Sequence, residues 1–185
     1  MARVLVPLAQ GCEELEAVTI IDLLRRANIE VITASLDGDV VVASRGVRLL
    51  ADEALDDVMQ EEFDMMVLPG GLPGADHLDN DERIHKLLKK MNEKGQYTAA
   101  ICAAPKVLAN AGLLQGLKAT SYPGFIDKMS LPQTQVLEAP VVADGKVITS
   151  RGPGTAMDFA LELIETLAGK AKRNEVEKPL MRPVS

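Results

Sequence analysis

A single cysteine stands where an apolar run meets the start of a helix. Residues 97–105 read YTAAICAAP, so Cys102 follows a strand-like segment and precedes Pro105, a residue suited to the first turn of a helix. At such an elbow the N–H groups and positive end of the following helix favour a thiolate. Cys102 is therefore a candidate nucleophile or redox centre. The alternative is a buried thiol that acts as a small hydrophobic side chain.

Carboxylates cluster at the opening of the first predicted helix, where residues 9–16 read AQGCEELE. Glu13 and Glu14 are explained by the helix dipole, because acidic side chains stabilise a first turn. Glu16 lies at the border of the apolar face, one residue after Leu15 and two before Val18. Desolvation at this border would raise the pKa of Glu16 and let it donate a proton or a hydrogen bond.

Two further loops contain groups that bind anions. Residues 68–74 read LPGGLPG, and their backbone amides can form an anion or oxyanion pocket or simply a tight turn. The loop has neither the phosphate-loop lysine and hydroxyl nor a GxGxxG pattern, so it does not predict a nucleotide site. Arg151 stands beside a tight turn, where a guanidinium can bind a carboxylate of a ligand or of the protein itself.

Apolar strands alternate with amphipathic helices along the chain, which places these loops at strand ends. The pattern predicts a mostly parallel α/β sheet with helices on both faces, and loops at the carboxyl ends of its strands would meet at one edge. A hairpin or edge excursion is expected over 40–50, and the tail 170–185 is expected to be a docking helix or frayed. The predicted strands are 4–8, 29–34, 64–68, 98–102, 118–121, 135–142 and 147–150, and the predicted helices are 13–27, 81–94, 105–111 and 155–167.

Composition narrows the class of protein. The 185 residues, 47% of them hydrophobic, suffice for one domain spanning 1–185. A net charge of −7 argues against a broad nucleic-acid or anionic-membrane footprint, and no run reaches membrane-spanning length. Only Cys12 and Cys102 are present, which fits a reducing, cytoplasmic location without a secretory signal. Cys12 is expected to be buried or incidentally exposed.

Four motifs in order resemble those of one family. They are EELE at 13–16, VLPGG at 67–71, AAICAAP at 99–105 and TSRGPGT at 149–155. Together they make the chain resemble the ThiJ/PfpI superfamily, within it the parkinsonism-associated deglycase (DJ-one) branch, and especially the bacterial ThiJ/YajL-like members. The resemblance implies a flavodoxin-like three-layer sandwich, similar to the class I glutamine amidotransferase domain, that forms a homodimer and needs no cofactor or metal.

The resemblance also assigns roles to residues of this chain. Cys102 takes the family's nucleophile position, and Glu16 takes the position of the acid that shares a proton with the cysteine. Gly71 and Ala103 match positions whose backbone N–H groups line the anion pocket, and Gly70 belongs to the same pocket.

Three side chains complete the expected pocket. Arg45, in the motif ASRG at 43–46, matches an arginine contributed across the dimer interface. Tyr122 stands where the parkinsonism-associated member carries a histidine, and a phenol is a poor general base at neutral pH. Arg151 is placed in the pocket or behind it. His77 and His85 are expected to be solvated or structural, so no Cys-His-Glu triad is predicted.

Two functions of different classes follow from the resemblance. The first is a cysteine-dependent glyoxalase III or protein deglycase, a weak hydrolase- or lyase-type enzyme that converts methylglyoxal to lactate through a hemithioacetal on Cys102. The alternative is an oxidative-stress sensor and redox-regulated chaperone for unfolded client proteins, in which Cys102 is oxidised to sulfinic acid. Both predict a homodimer without a stable nucleic-acid partner, and the sequence does not separate them.

Overall fold

The computed structural model describes residues 1–38 and 40–183, which form a central parallel sheet between two layers of helices. The strands of this sheet are β1 (Arg3–Leu8), β2 (Glu30–Ser35), β5 (Glu53–Ala54), β6 (Met65–Leu68), β7 (Tyr97–Ile101), β10 (Val141–Asp144) and β11 (Val147–Ser150). These seven strands lie in the order β10-β11-β7-β6-β1-β2-β5, and within this sheet only the pair β10–β11 is antiparallel.

Four shorter strands form two small additional sheets. The hairpin β3 (Val41–Val42) and β4 (Arg48–Leu49) confirms the excursion expected over 40–50. The other pair is β8 (Lys118–Ala119) with β9 (Gln135–Val136), which run parallel. The strand predicted over 135–142 is therefore wrong in extent, since it divides into β9 and β10. Pro140 lies between the two parts and has no N–H to give to a ladder.

Helices cover both faces of the sheet. Those in the described residues are α1 (Glu14–Arg26), α2 (Leu55–Val58), α3 (Gly74–Asn80), α4 (Glu82–Glu93), α5 (Pro105–Asn110), α6 (Ala156–Ala168) and α7 (Lys170–Glu177). The tail predicted over 170–185 forms α7, which docks through buried Val176 and an Arg173–Glu165 ion pair of 2.6 Å; residues 184 and 185 lie outside the described part. Within that part, no helix is both long and apolar enough to span a bilayer.

Alternate residues of the central strands supply two hydrophobic cores. In β1, Val4, Val6 and Leu8 join the core shared with α1 and α6, whereas Leu5 joins the core of the opposite face. A strand buried on both faces must be apolar throughout, which is the pattern that the sequence shows. The sheet is therefore a rigid support, and the loops at the carboxyl ends of β1, β6 and β7 lie at one edge of it.

Candidate active site

Cys102 occupies a strained elbow between β7 and α5. Its φ is +65°, a left-handed conformation that costs a non-glycine residue about 1–3 kcal/mol. Two hydrogen bonds hold the elbow, because the Cys102 N–H donates to the Ser150 carbonyl at 3.0 Å and the Cys102 carbonyl accepts from the Tyr122 N–H at 2.9 Å. The sharp strand-to-helix turn expected from the sequence is present, and its thiol is free.

Glu16 lies directly against this thiol. Its side chain, in the first turns of α1, is fully buried, and Oε2 accepts a hydrogen bond from the Gly70 N–H at 2.8 Å. Among the described residues Oε1 has no nitrogen or oxygen partner, and the Cys102 thiol is close enough to interact with the carboxyl. Burial raises the pKa of Glu16 to about 7, against the opposing effects of the Gly70 N–H and Cys102. The desolvation predicted for Glu16 is confirmed.

The thiol itself is harder to ionise than expected. Burial, and then the charge of the Glu16 carboxylate, raise the pKa of Cys102 to about 12, while the N–H groups of Gly71 and Ala103 lower it. The N–H groups at the elbow favour the thiolate as expected, but desolvation and repulsion by the Glu16 carboxylate outweigh them, so the net shift is upward. A neutral Glu16 removes this repulsion and can donate to the sulfur, so the two groups are expected to titrate as a coupled pair.

The glycine-rich loop after β6 brings its backbone against the pair. A Cβ on Gly70 would lie 2.6 Å from the Cys102 Cβ and 2.8 Å from Glu16 Oε2. Gly71 has a φ of +87°, and a Cβ there would lie 2.5 Å from the Glu13 nitrogen. Glycine is thus required at both positions for the Gly71 N–H to reach the sulfur, to which the Ala103 N–H also donates. Two backbone donors directed at one atom are the arrangement that an oxyanion hole requires, and that role for them stays a prediction.

The Cys102 sulfur lies at an open cavity of about 350 Å³. Sequence reasoning did not assign five of the lining residues to the site, because nothing in their residue types marks them as pocket walls; they are Glu13, Ser44, Leu72, Phe125 and Pro153. The full lining is Glu13, Ser44, Arg45, Gly71, Leu72, Cys102, Ala103, Tyr122, Phe125 and Pro153. Neither of the two histidines is among these residues.

Arg45 reaches the cavity from its own chain. The loop between β3 and β4 that carries it is clamped by Glu14, which accepts from the Arg45 N–H at 2.8 Å and from the Ser44 hydroxyl at 3.0 Å. These hydrogen bonds help to lower the pKa of Glu14, although burial opposes them. Helix-start chemistry is therefore only part of the role of Glu14, and a contribution of Arg45 across a dimer interface stays a prediction.

Tyr122 and Arg151 line two different cavities. Tyr122 lines the cavity, with about half of its surface exposed. Arg151 instead lines a separate cavity, and its guanidinium donates to the carbonyls of Ser121 and Glu138 at 3.3 and 3.2 Å. The partner of Arg151 is therefore backbone rather than the carboxylate expected, and it supports the pocket only through the chain next to Tyr122.

The remaining candidate residues lie outside the site. Cys12 is buried, and burial raises the pKa of its thiol to about 12. His85 pairs with Asp79 at 3.3 Å, and His77 is exposed on α3, which confirms both as structural or solvated. Within residues 1–38 and 40–183, no cluster of three or more histidine, cysteine or acidic side chains is arranged to hold a metal ion.

A flavodoxin-like α/β protein with a cysteine–carboxylate pair at a strand-to-helix elbow is the class that this fold and site define. The chain belongs to the DJ-1/PfpI family, whose model matches residues 2–166. The crystal structure of Drosophila melanogaster DJ-1beta superposes with a TM-score of 0.94 at 43% identity, covering 99% of each chain. The resemblance seen in the four motifs is thereby confirmed.

Three curated relatives are similar over nearly the whole chain. Arabidopsis thaliana protein DJ-1 homolog B is 47% identical over 98% of this chain, which spans only 42% of that longer protein. Drosophila melanogaster protein dj-1beta is 46% identical over 96% of this chain and 95% of its own length. Caenorhabditis elegans glutathione-independent glyoxalase DJR-1.2 is 38% identical over 97% and 95%. These relatives are eukaryotic, so the narrower assignment to bacterial members stays a prediction.

Proposed function

We propose that this protein is a cofactor-independent glyoxalase that converts methylglyoxal to lactate. The observation that carries the proposal is the buried Glu16 carboxyl beside the Cys102 thiol, with the Gly71 and Ala103 N–H groups directed at the same sulfur. A thiol, a proton carrier with a pKa near 7 and two fixed donors are the groups that such an isomerisation needs. The name of the nematode relative supports the same activity.

The reaction begins with addition of the sulfur to the aldehyde carbon. The Cys102 thiol gives its proton to Glu16 or the carbonyl oxygen, forming a hemithioacetal whose oxygen is held by the Gly71 and Ala103 donors. Once the thiol proton rests on the hemithioacetal oxygen, the ionised Glu16 removes the proton from the former aldehyde carbon and leaves an enediolate. Glu16 returns that proton to the neighbouring carbon while the hydroxyl proton moves to the former ketone oxygen, which yields a lactoyl thioester. Water hydrolyses the thioester to lactate and regenerates the thiol, without net oxidation or reduction.

The same chemistry extends to early glycation adducts. A hemiaminal or hemithioacetal of methylglyoxal carries the same reacting carbons, so addition of Cys102 and hydrolysis would release the amine or thiol together with lactate. We propose this deglycase activity as a second outcome at one site. An enzyme that consumes free methylglyoxal also depletes adducts in equilibrium with it, so the two activities share the Cys102 and Glu16 requirement.

Lactate formation from methylglyoxal tests the proposal. Purified wild type is compared with Cys102→Ser and Glu16→Gln in thiol-free, metal-free buffer that does not itself consume the aldehyde. We expect turnover in wild type, none above the blank in Cys102→Ser, and a loss of about 10²–10⁴-fold in Glu16→Gln, which keeps an acceptor for the Gly70 N–H but carries no mobile proton. Wild-type rates equal to the blank would sink the enzyme assignment for this substrate.

A redox-regulated chaperone is the second candidate. It is favoured by the position of Cys102 at an open cavity, where the Gly71 and Ala103 N–H groups can hold a sulfinate as well as an oxyanion. Mild peroxide distinguishes the two functions, since oxidation of Cys102 abolishes lactate formation but induces suppression of client aggregation. Peroxide that leaves aggregation unchanged would exclude this candidate. With either function we propose one domain over 1–185, a homodimer and a cytoplasmic location.

A further inference from the structure

One wall of the Cys102 cavity is aromatic. The rings of Tyr122 and Phe125, here named the aromatic wall, meet edge to face, with centroids 6.4 Å apart and planes at 73°. The Tyr122 ring also rests on Gly152, where an added Cβ would lie 3.3 Å from Cδ2. Tyr122 nevertheless keeps 49% of its surface exposed beside the cavity. A half-exposed, well-supported aromatic face is thus available to a ligand.

The aromatic wall is held by the same helix that follows the elbow. Lys106, in the first turn of α5, places its ammonium 6.0 Å from the centre of the Phe125 ring and forms an ion pair with Asp76. The Tyr122 N–H is bonded to the Cys102 carbonyl at 2.9 Å. The wall and the sulfur are therefore fixed relative to one another, which is a condition for selecting substrates by their shape.

The remaining wall of the cavity has an apolar part and a polar part. Leu72, which is 50% exposed, and Pro153 add apolar surface, whereas Glu13, Ser44 and Arg45 come from the start of α1 and the β3–β4 loop. The cavity volume of about 350 Å³ falls at the lower end of the roughly 300–1,000 Å³ typical of small-molecule sites. Methylglyoxal carries only a methyl group beyond its reacting carbons, so it would leave the aromatic wall and Leu72 exposed to water.

We infer that the preferred substrates are 2-oxoaldehydes bearing an aryl or similar flat apolar group on the ketone carbon, an inference that rests on the proposed function. The aldehyde carbon bonds to the Cys102 sulfur, and the aryl group covers Tyr122 and Phe125. Burial of their exposed surface and edge-to-face contact favour the bound state. For phenylglyoxal, the aldehyde hydrogen moves to the ketone carbon and water completes the product, mandelate, so no oxidant or reductant is required.

The test compares kcat/KM for phenylglyoxal and methylglyoxal in wild type and matched variants. We expect a wild-type ratio of about tenfold or more, and a fall toward unity in Tyr122→Leu and Phe125→Leu, which keep apolar bulk without the rings. Tyr97→Leu is the control, because Tyr97 begins β7 at the opposite edge of the sheet, and its ratio should equal that of wild type. Initial rates are taken before phenylglyoxal modifies arginines, as checked by intact mass.

A wild-type ratio of unity or less, or a ratio unchanged in both wall variants, would overturn the inference. If neither aldehyde is consumed, the proposed glyoxalase fails, and binding tests the aromatic wall separately. Phenylacetaldehyde and acetaldehyde are then compared as reversible protectants of Cys102 against iodoacetamide, with glutathione as the reference for their intrinsic reactivity. After that correction, we expect phenylacetaldehyde to protect at about tenfold lower concentration in wild type but not in Tyr122→Leu. Equal protection by the two aldehydes contradicts an aromatic preference.

Discussion

The Gly70 N–H fixes Glu16 Oε2 at 2.8 Å, so the backbone of one loop sets the position of the carboxyl that faces Cys102. The next N–H along the same loop, that of Gly71, points to the Cys102 sulfur. Two consecutive peptide groups thus bind the two members of the reactive pair. This arrangement couples the charge of one side chain to that of the other, and three predictions follow from it.

Stability should depend on pH through Glu16. Its pKa is raised from 4.5 to about 7 in the folded protein, so between these values the native state binds more protons than the unfolded state. The free energy of unfolding therefore falls as pH rises from about 4.5 to 7, by about 3 kcal/mol. Urea unfolding of wild type and Glu16→Gln at pH 5 and pH 8 measures this contribution, which the variant lacks. Parallel pH profiles would show that Glu16 ionises normally.

Reactivity of the thiol should rise when the carboxylate is removed. The charge of Glu16 raises the pKa of Cys102, so Glu16→Gln should lower it and accelerate alkylation by iodoacetamide at pH 8 by about tenfold. The rate is measured against pH by mass spectrometry. Cys12, which is buried, serves as the internal reference. Slower alkylation of Cys102 in the variant would mean that a hydrogen bond from protonated Glu16, rather than the charge of its carboxylate, controls the reactivity of the thiol.

Gly70→Ala should disable the site. Its Cβ would lie 2.6 Å from the Cys102 Cβ and 2.7 Å from the Ile101 carbonyl oxygen, distances that force the loop to move. We expect the free energy of unfolding to fall by about 1–3 kcal/mol and turnover to be lost. Gly154→Ala is the matched control, because a Cβ there meets nothing within 4 Å and its φ is not left-handed. Equal stability and activity of the two variants would contradict the close packing of Gly70.

The predicted homodimer can be tested on the exposed face of α1. Leu15 and Val18 lie three residues apart on this face, and both remain about half exposed in the single chain, so together they offer apolar surface that a second copy could cover. We expect Val18→Glu to sediment as a monomer when wild type sediments as a dimer, because an interface would bury the new charge. Val136→Glu, on β9, is the control for added charge. A monomeric wild type would refute the dimer.

Much of the site was predictable because its chemistry is local in the sequence. Cys102 was found from the strand-to-helix transition around it, and Glu16 from its place at the border of an apolar helix face. The clamp from Glu14 to Ser44 and Arg45 was not found, since it joins residues about 30 positions apart. The sign of the Cys102 pKa shift depended on burial, which a sequence window does not measure.

The strands of the central sheet were predictable because their pattern is also local in the sequence. The pairing of β8 with β9 and the loop between them were not. Mostly apolar runs predicted β1, β6 and β7, because strands that are buried on both faces of a sheet carry few polar residues. The short parallel pair β8–β9 depends on contacts between segments separated by a long loop that carries little periodic pattern. Phe125 belongs to that loop, so its place in the cavity wall also went unnoticed.

The left-handed backbone at Cys102 lowers the stability of the folded protein, whereas the side chain at this position supplies the reactive thiol. A glycine would adopt the φ of +65° at lower cost, so the more robust sequence at this position is one without a thiol. A search for heat-resistant variants that ignored activity would therefore tend to select stable proteins that lack the reactive thiol. The cost of a cysteine rather than a glycine at this elbow is therefore the price of keeping a thiol at the cavity.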